Sequence, residues 1–190
     1  MEDLSAEEWA DALELYDDSY TFVRVAPREH AEWWLDVTAI IRGEAQDARG
    51  WRSIDPDEEE PERLEDPLFP WLAPPSTREE TEHHRSPVKE LPRVSVPSLL
   101  VLLGIVGWDV RKTYRWEERR SEMERRAEVI MARFAEGTRF YSNIGWTGKE
   151  PDFYEQPVTG MNPFSRYGWD AGLIAVNDAE VALIWAFMPI

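Results

Sequence analysis

The sequence predicts an α+β fold: an antiparallel sheet from the C-terminal half packed by helices, with an extended Pro-rich acidic arm. Three observations carry that prediction. Residues beyond 138 alternate with the period of strands, residues 98–135 repeat apolar side chains at helical spacing, and residues 55–92 hold eight prolines among clustered acids. The chain divides accordingly into an N-terminal helical and strand segment (1–54), the arm or linker (55–92) and an α+β core domain (93–190).

Ser5 and Glu8 stand at capping-box spacing, with Leu4 in reach of Trp9 as a hydrophobic staple. A helix should therefore run from Ala6 to about Tyr16, with Trp9, Ala12, Leu13 and Tyr16 on one face. Tyr20 to Val25 is rich in strand formers. Pro27 can open a second helix, whose apolar face is Trp33, Trp34, Val37, Ile40 and Ile41 and whose end is Gly43, and both N-terminal helices are expected to pack at one side of the sheet. In the arm, Asp57 to Glu60 and Arg78 to Glu82 are charge runs, and prolines forbid regular structure over most of its length. Val94 to Trp108 is the most apolar stretch. It is short for a bilayer span and holds Pro97, Gly104 and Gly107, so a buried helix is expected, with a single-pass anchor over 94–110 as a further alternative. Arg111 to Ala135 continues as a charged helix with Met123, Ala127, Ile130 and Phe134 on its apolar stripe, ended by Gly137. Thr138 to Trp146 reads as a strand, and Gly172 to Val176 with Glu180 to Phe187 as a hairpin across Asn177-Asp178. On its second arm Val181, Leu183, Trp185 and Phe187 share one face, Ala182, Ile184 and Ala186 the other, as in a central strand.

The formal net charge is -17, and residues 1–90 hold 25 acids against 9 bases while residues 91–190 are nearly balanced. Such a surface repels phosphate backbones and steers basic proteins, so no direct nucleic-acid binding is expected. There is no cysteine, which excludes disulfides and thiolate chemistry. The opening Met1-Glu2-Asp3 lacks the order of a secretory signal, and a cytoplasmic location is the expectation.

Catalytic residues are not evident. The histidines are His30, His83 and His84, with none in the second half, and no nucleophile elbow surrounds Ser142 or Ser165. His83-His84 beside Glu79, Glu80 and Glu82 lacks the i, i+4 spacing of a zinc helix. Asp55-Pro56-Asp57 has Glu60 where a calcium loop turns on glycine, and no phosphate-binding glycine motif occurs. No metal or cofactor is expected.

The leading expectation is a non-enzymatic interaction protein: an acidic, immunity-like binder or inhibitor, or an assembly component. It would engage a protein partner, basic or a second copy of itself, through the acidic half and the arm, with Leu68, Phe69, Trp71 and Leu72 as apolar anchors. The alternative is a ligand-binding protein or enzyme with a pocket at residues 139–170. Arg139 and Arg166 would be anion clamps, Tyr141, Trp146, Tyr154, Tyr167 and Trp169 walls, and Asp152, Glu155 and Asp170 carboxylates.

Overall fold

The structure, a computed structural model, describes residues 4–56, 58, 60–75 and 77–189; Asp57 and Glu59 of the arm's acidic run lie outside the described residues. A five-stranded antiparallel sheet in the order β1-β5-β4-β3-β2 is packed by helices on both faces, an α+β arrangement. Its strands are β1 (Thr21–Pro27), β2 (Lys89–Leu91), β3 (Arg139–Ser142), β4 (Asp170–Val176) and β5 (Glu180–Phe187). The C-terminal half supplies three of them. The N-terminal segment adds β1 beside β5, and the arm adds β2 at the opposite edge.

Local chemistry explains each element. The first helix, α1 (Ala6–Leu13), starts where Ser5 Oγ accepts the Glu8 N–H (3.2 Å) while Glu8 accepts the Ser5 N–H (2.8 Å). The β4–β5 turn is held by Asn177, whose Oδ1 accepts the N–H groups of Ala179 and Glu180, both at 2.8 Å. On β5 the alternation divides the core. Val181, Leu183, Trp185 and Phe187 enter one apolar cluster, and Ala182, Ile184 and Ala186 enter the other. The alanine side lets helices approach closely, and α1, α5 (Val96–Leu103) and α6 (Trp116–Ala132) pack there. The large side is covered by α2 (Trp33–Ile41), Trp71 and Phe164. Gly172 sits opposite Trp185, and a Cβ there would lie 1.9 Å from the indole, so only glycine accommodates the ring.

Several expectations are corrected. The N-terminal helices do not pack together at one side; α1 and α2 lie on opposite faces of the sheet. Pro27 ends β1 rather than opening a helix, because its pairing with Glu180 extends the strand. The apolar run yields only the eight residues of α5, which end at Gly104, and α6 begins at Trp116, after a break at 104–115. Among the described residues no helix is long and apolar enough to cross a membrane. The arm is less irregular than its prolines suggest, since it contains α3 (Pro61–Glu65) and α4 (Arg78–Arg85) as well as β2. Pro61 takes the first turn of α3, where a missing N–H costs nothing. Thr77 and Glu80 form a second capping box at the start of α4.

Candidate functional site

The arm crosses the sheet as a strap. Trp71 is 1% exposed and meets Phe22, Trp185 and Phe187 with ring centroids at 5.5, 5.9 and 5.0 Å. Backbone bonds fix it on both sides, from Leu72 N–H to Phe164 O and from Arg166 N–H to Pro70 O, each 2.8 Å. Phe69 is half-buried against Tyr167, and Leu68 is likewise half-buried. Of the four anchor residues, then, Trp71 belongs to the chain's own core and Leu72 keeps 41% exposure. The residue the sequence reading passed over is Leu64 on α3, 90% exposed. A single leucine inside an acidic run carries no periodic signal, so nothing in the pattern marked it.

The acidity is distributed in a way composition does not reveal. Asp11, Glu14 and Asp18 of the first segment pair with Arg125, Arg126 and Arg119 at 2.7, 2.7 and 2.9 Å. Asp47 joins Glu180 on Arg133, at 2.7 and 2.9 Å, where the guanidinium is fully buried between the rings of Trp9 and Trp51. Much of the N-terminal negative charge is thereby neutralised within the molecule. Around Leu64 the situation differs. Glu58, Glu62 and Glu65 are exposed and have no ion-pair partner among the described residues, while Asp55 holds Arg63 (2.6 Å) and Asp66 holds Arg166. A hydrophobic side chain ringed by uncompensated carboxylates suits a complementary surface that is basic with an apolar hollow.

The residues expected to form one pocket are separated. Arg139 pairs with Glu90 (2.8 Å) at the β2 edge, and Tyr141 stacks on Trp33 at 4.6 Å. Trp146 packs against the helix-side core, and Arg166 and Tyr167 face the strap. Asp152 is exposed and accepts the Tyr154 N–H (2.9 Å). Asp170 is fully buried and accepts from Ser165 N–H (2.7 Å), Phe164 N–H (3.0 Å), Asn143 Nδ2 (3.0 Å) and Trp185 Nε1 (2.9 Å). Burial pushes its carboxyl above the usual range against those hydrogen bonds. Its oxygens are occupied by groups that tie the 163–165 segment to the hairpin, which makes it a structural tether. Arg139 lies over the ring of Tyr141 at 5.3 Å, away from Tyr154, Glu155 and Trp169, which line a cleft of about 210 Å³.

One arrangement with catalytic geometry was not anticipated. Asp36, 3% exposed, accepts from Arg28 Nε (2.6 Å), Glu29 N–H (3.0 Å), His30 N–H (3.1 Å) and His30 Nδ1 (2.7 Å). Burial alone would raise its carboxyl, but the bonds from His30, Glu29 and Arg28 together hold it below the ordinary value. An aspartate orienting an imidazole supplies two of the three members of a hydrolytic triad. The threonines along the same groove supply no third member: Thr38 donates to Trp34 O (3.0 Å), Thr81 donates to Thr77 O (2.8 Å), and Thr77 caps α4. The cluster instead holds the turn between β1 and α2. A His-Asp spacing of six matches no motif, so no local pattern marks the pair. Among the described residues no three His, Asp or Glu side chains converge as a metal ion requires. No family model, curated protein or solved structure matches this chain.

Proposed function

We propose that this protein is a non-enzymatic binder of a basic protein, an inhibitor or assembly component that engages its partner through the acidic face of the strap. The observation that supports this reading is the contrast between Asp11 and Glu14, which pair with arginines of α6, and Glu58, Glu62 and Glu65, which have no ion-pair partner among the described residues and stand around an exposed leucine. Long-range attraction from that face raises the encounter rate, and Leu64 contributes apolar burial once contact is made.

The test compares wild type with Leu64→Asp and with the double variant Glu62→Lys, Glu65→Lys as baits in pull-downs from the native source, at about 50 mM and about 500 mM salt, spanning a large change in screening. A basic protein retained by wild type at low salt, released at high salt and lost with both variants is the expected result. Retention indifferent to salt and to both variants, or no retained protein, overturns the reading. All three positions are exposed, so the variants leave the core intact.

A further inference from the structure

A cleft of about 490 Å³ opens where the start of α5, one face of α6 and the loop at 150–154 come together. Ser95 and Ser98 border it and are buried, 2% and 9% exposed, but their hydroxyls differ. Ser98 Oγ donates to Ser95 O (3.0 Å) and accepts the Phe153 N–H (3.2 Å), so it is satisfied. Ser95 Oγ is buried with no hydrogen-bond partner among the described residues. Ser95 stands at the N-cap of α5, where a serine ordinarily accepts an N–H of the first turn, but Pro97 holds the second helical position and brings no N–H. A buried hydroxyl left unmatched is costly, and the cleft is the side from which a partner can reach it.

The rim of the cleft is acidic. Arg120, Glu124 and Glu128 line it from α6 at i, i+4 and i+8, and the facing loop brings Glu150 and Asp152. Arg120 is the single cation among the lining residues; it pairs with Glu124 (2.9 Å) and lies over the rings of Trp116 and Tyr154 at 5.9 and 5.0 Å. Glu128, Glu150 and Asp152 are exposed and have no ion-pair partner among the described residues. The helix start does not offset them. The Val96 N–H is taken by Arg93 O and Pro97 has none, so α5 presents little of the positive pole that would seat an anion. Nor do these carboxylates converge on one point as a metal ion requires, so they suit an elongated cation with separated charges. Val94, 68% exposed, adds an apolar strip with Pro97 and Pro151.

From this geometry we propose that the cleft binds an unbranched aliphatic polyamine. Its ammonium groups meet Glu128, Glu150 and Asp152, its methylenes lie along Val94, Pro97 and Pro151, and one N–H is donated to Ser95 Oγ. The volume falls within the roughly 300–1,000 Å³ of small-molecule sites. None of the lining residues lies on α3, and the proposal stands independently of the strap.

Calorimetric titration of the full chain at about 100 mM salt tests it, with spermidine, n-butylamine and magnesium ion as probes. Spermidine binds at one site, and butylamine, with a single charge, binds at least about tenfold more weakly. Glu128→Gln with Glu150→Gln weakens spermidine by about tenfold, whereas Glu62→Gln with Glu65→Gln, the same change in net charge on the strap, alters it by less than about twofold. Ser95→Ala weakens it by about threefold without lowering the urea midpoint, since the deleted hydroxyl has no partner in the free protein. Circular dichroism verifies the fold of each variant. Equal weakening by the strap variant, or magnesium binding as tightly as spermidine, would show that diffuse negative charge is all that is sensed, and overturns the proposal. So does an unchanged affinity in either cleft variant, a lowered urea midpoint in Ser95→Ala, or no binding of spermidine.

Discussion

A buried carboxylate is tolerated only when donors surround it, and Asp36 and Asp170 meet that condition with opposite consequences for their own charge. Asp36 is bonded to a guanidinium and an imidazole as well as to backbone N–H groups, and its ionised form is favoured. Asp170 has only neutral donors and complete burial, and its protonated form gains. Replacing Asp170 by Asn leaves one acceptor oxygen for donors that include two backbone N–H groups and an indole. We predict that Asp170→Asn lowers stability by about 1–3 kcal/mol, the cost of stranding a buried donor. The expected readout is a lower urea midpoint with an unchanged slope; an unshifted midpoint would mean that the tether carries no load.

Among the elements, α6 separates interactions that look strong from those that are. Its outer surface is laced to α1 and the following turn by Arg119, Arg125 and Arg126, yet these side chains and their partners stay substantially in water. Exposed pairs of this kind contribute about 0–1 kcal/mol each. Its inner stripe of Met123, Ala127 and Ile130 is buried against α5 and the alanine side of the sheet. Ile130→Ala should therefore cost about 2–5 kcal/mol in chemical denaturation, while Arg125→Ala, despite touching both Asp11 and Glu122, costs less than about 1. The reverse ranking would show that the charged lacing holds the helix. The same distinction governs what could be read from the sequence. Ser5 with Glu8, the alternation along 180–187 and the stripe 123–130 were legible because each is a local pattern with a local cause. The strap's helices were obscured by proline and charge density even though Thr77 and Glu80 spell a capping box. Trp71 looked like a surface anchor because its partners Phe22, Trp185 and Phe187 are remote in sequence. The 139–170 residues looked like one site because nearness along the chain was read as nearness in space, and strand pairing sends Tyr141 to Trp33 and Asp170 to Trp185.

For the whole molecule, net charge and individual carboxylates pull stability in different directions as pH changes. A carboxyl lowered on folding contributes stability above its unfolded value that is lost as pH falls through the folded value. Asp36 and Glu122 belong to that class; Arg125 holds Glu122 down at about 2, from an ordinary 4.5. Asp170 has the opposite sign. Its folded form keeps a proton that the unfolded chain releases near 3.8, so its contribution is largest below that value and fades as pH rises. Self-repulsion among the uncompensated acids of the strap also grows toward neutrality, since the chain carries -17 at pH 7. Between pH 7 and about 5 two effects oppose each other: relief of repulsion favours the folded state as pH falls, whereas burial holds the His84 imidazole below 6.5, so the unfolded chain takes up that proton first. Below about 4, loss of the ionised Asp36 and Glu122 lowers stability. Urea midpoints measured from pH 7 down to 3 should therefore drop below about pH 4, with Asp36→Asn flattening that acid limb. An acid limb of the same steepness in Asp36→Asn would show that the ionised carboxylate contributes nothing to the pH dependence.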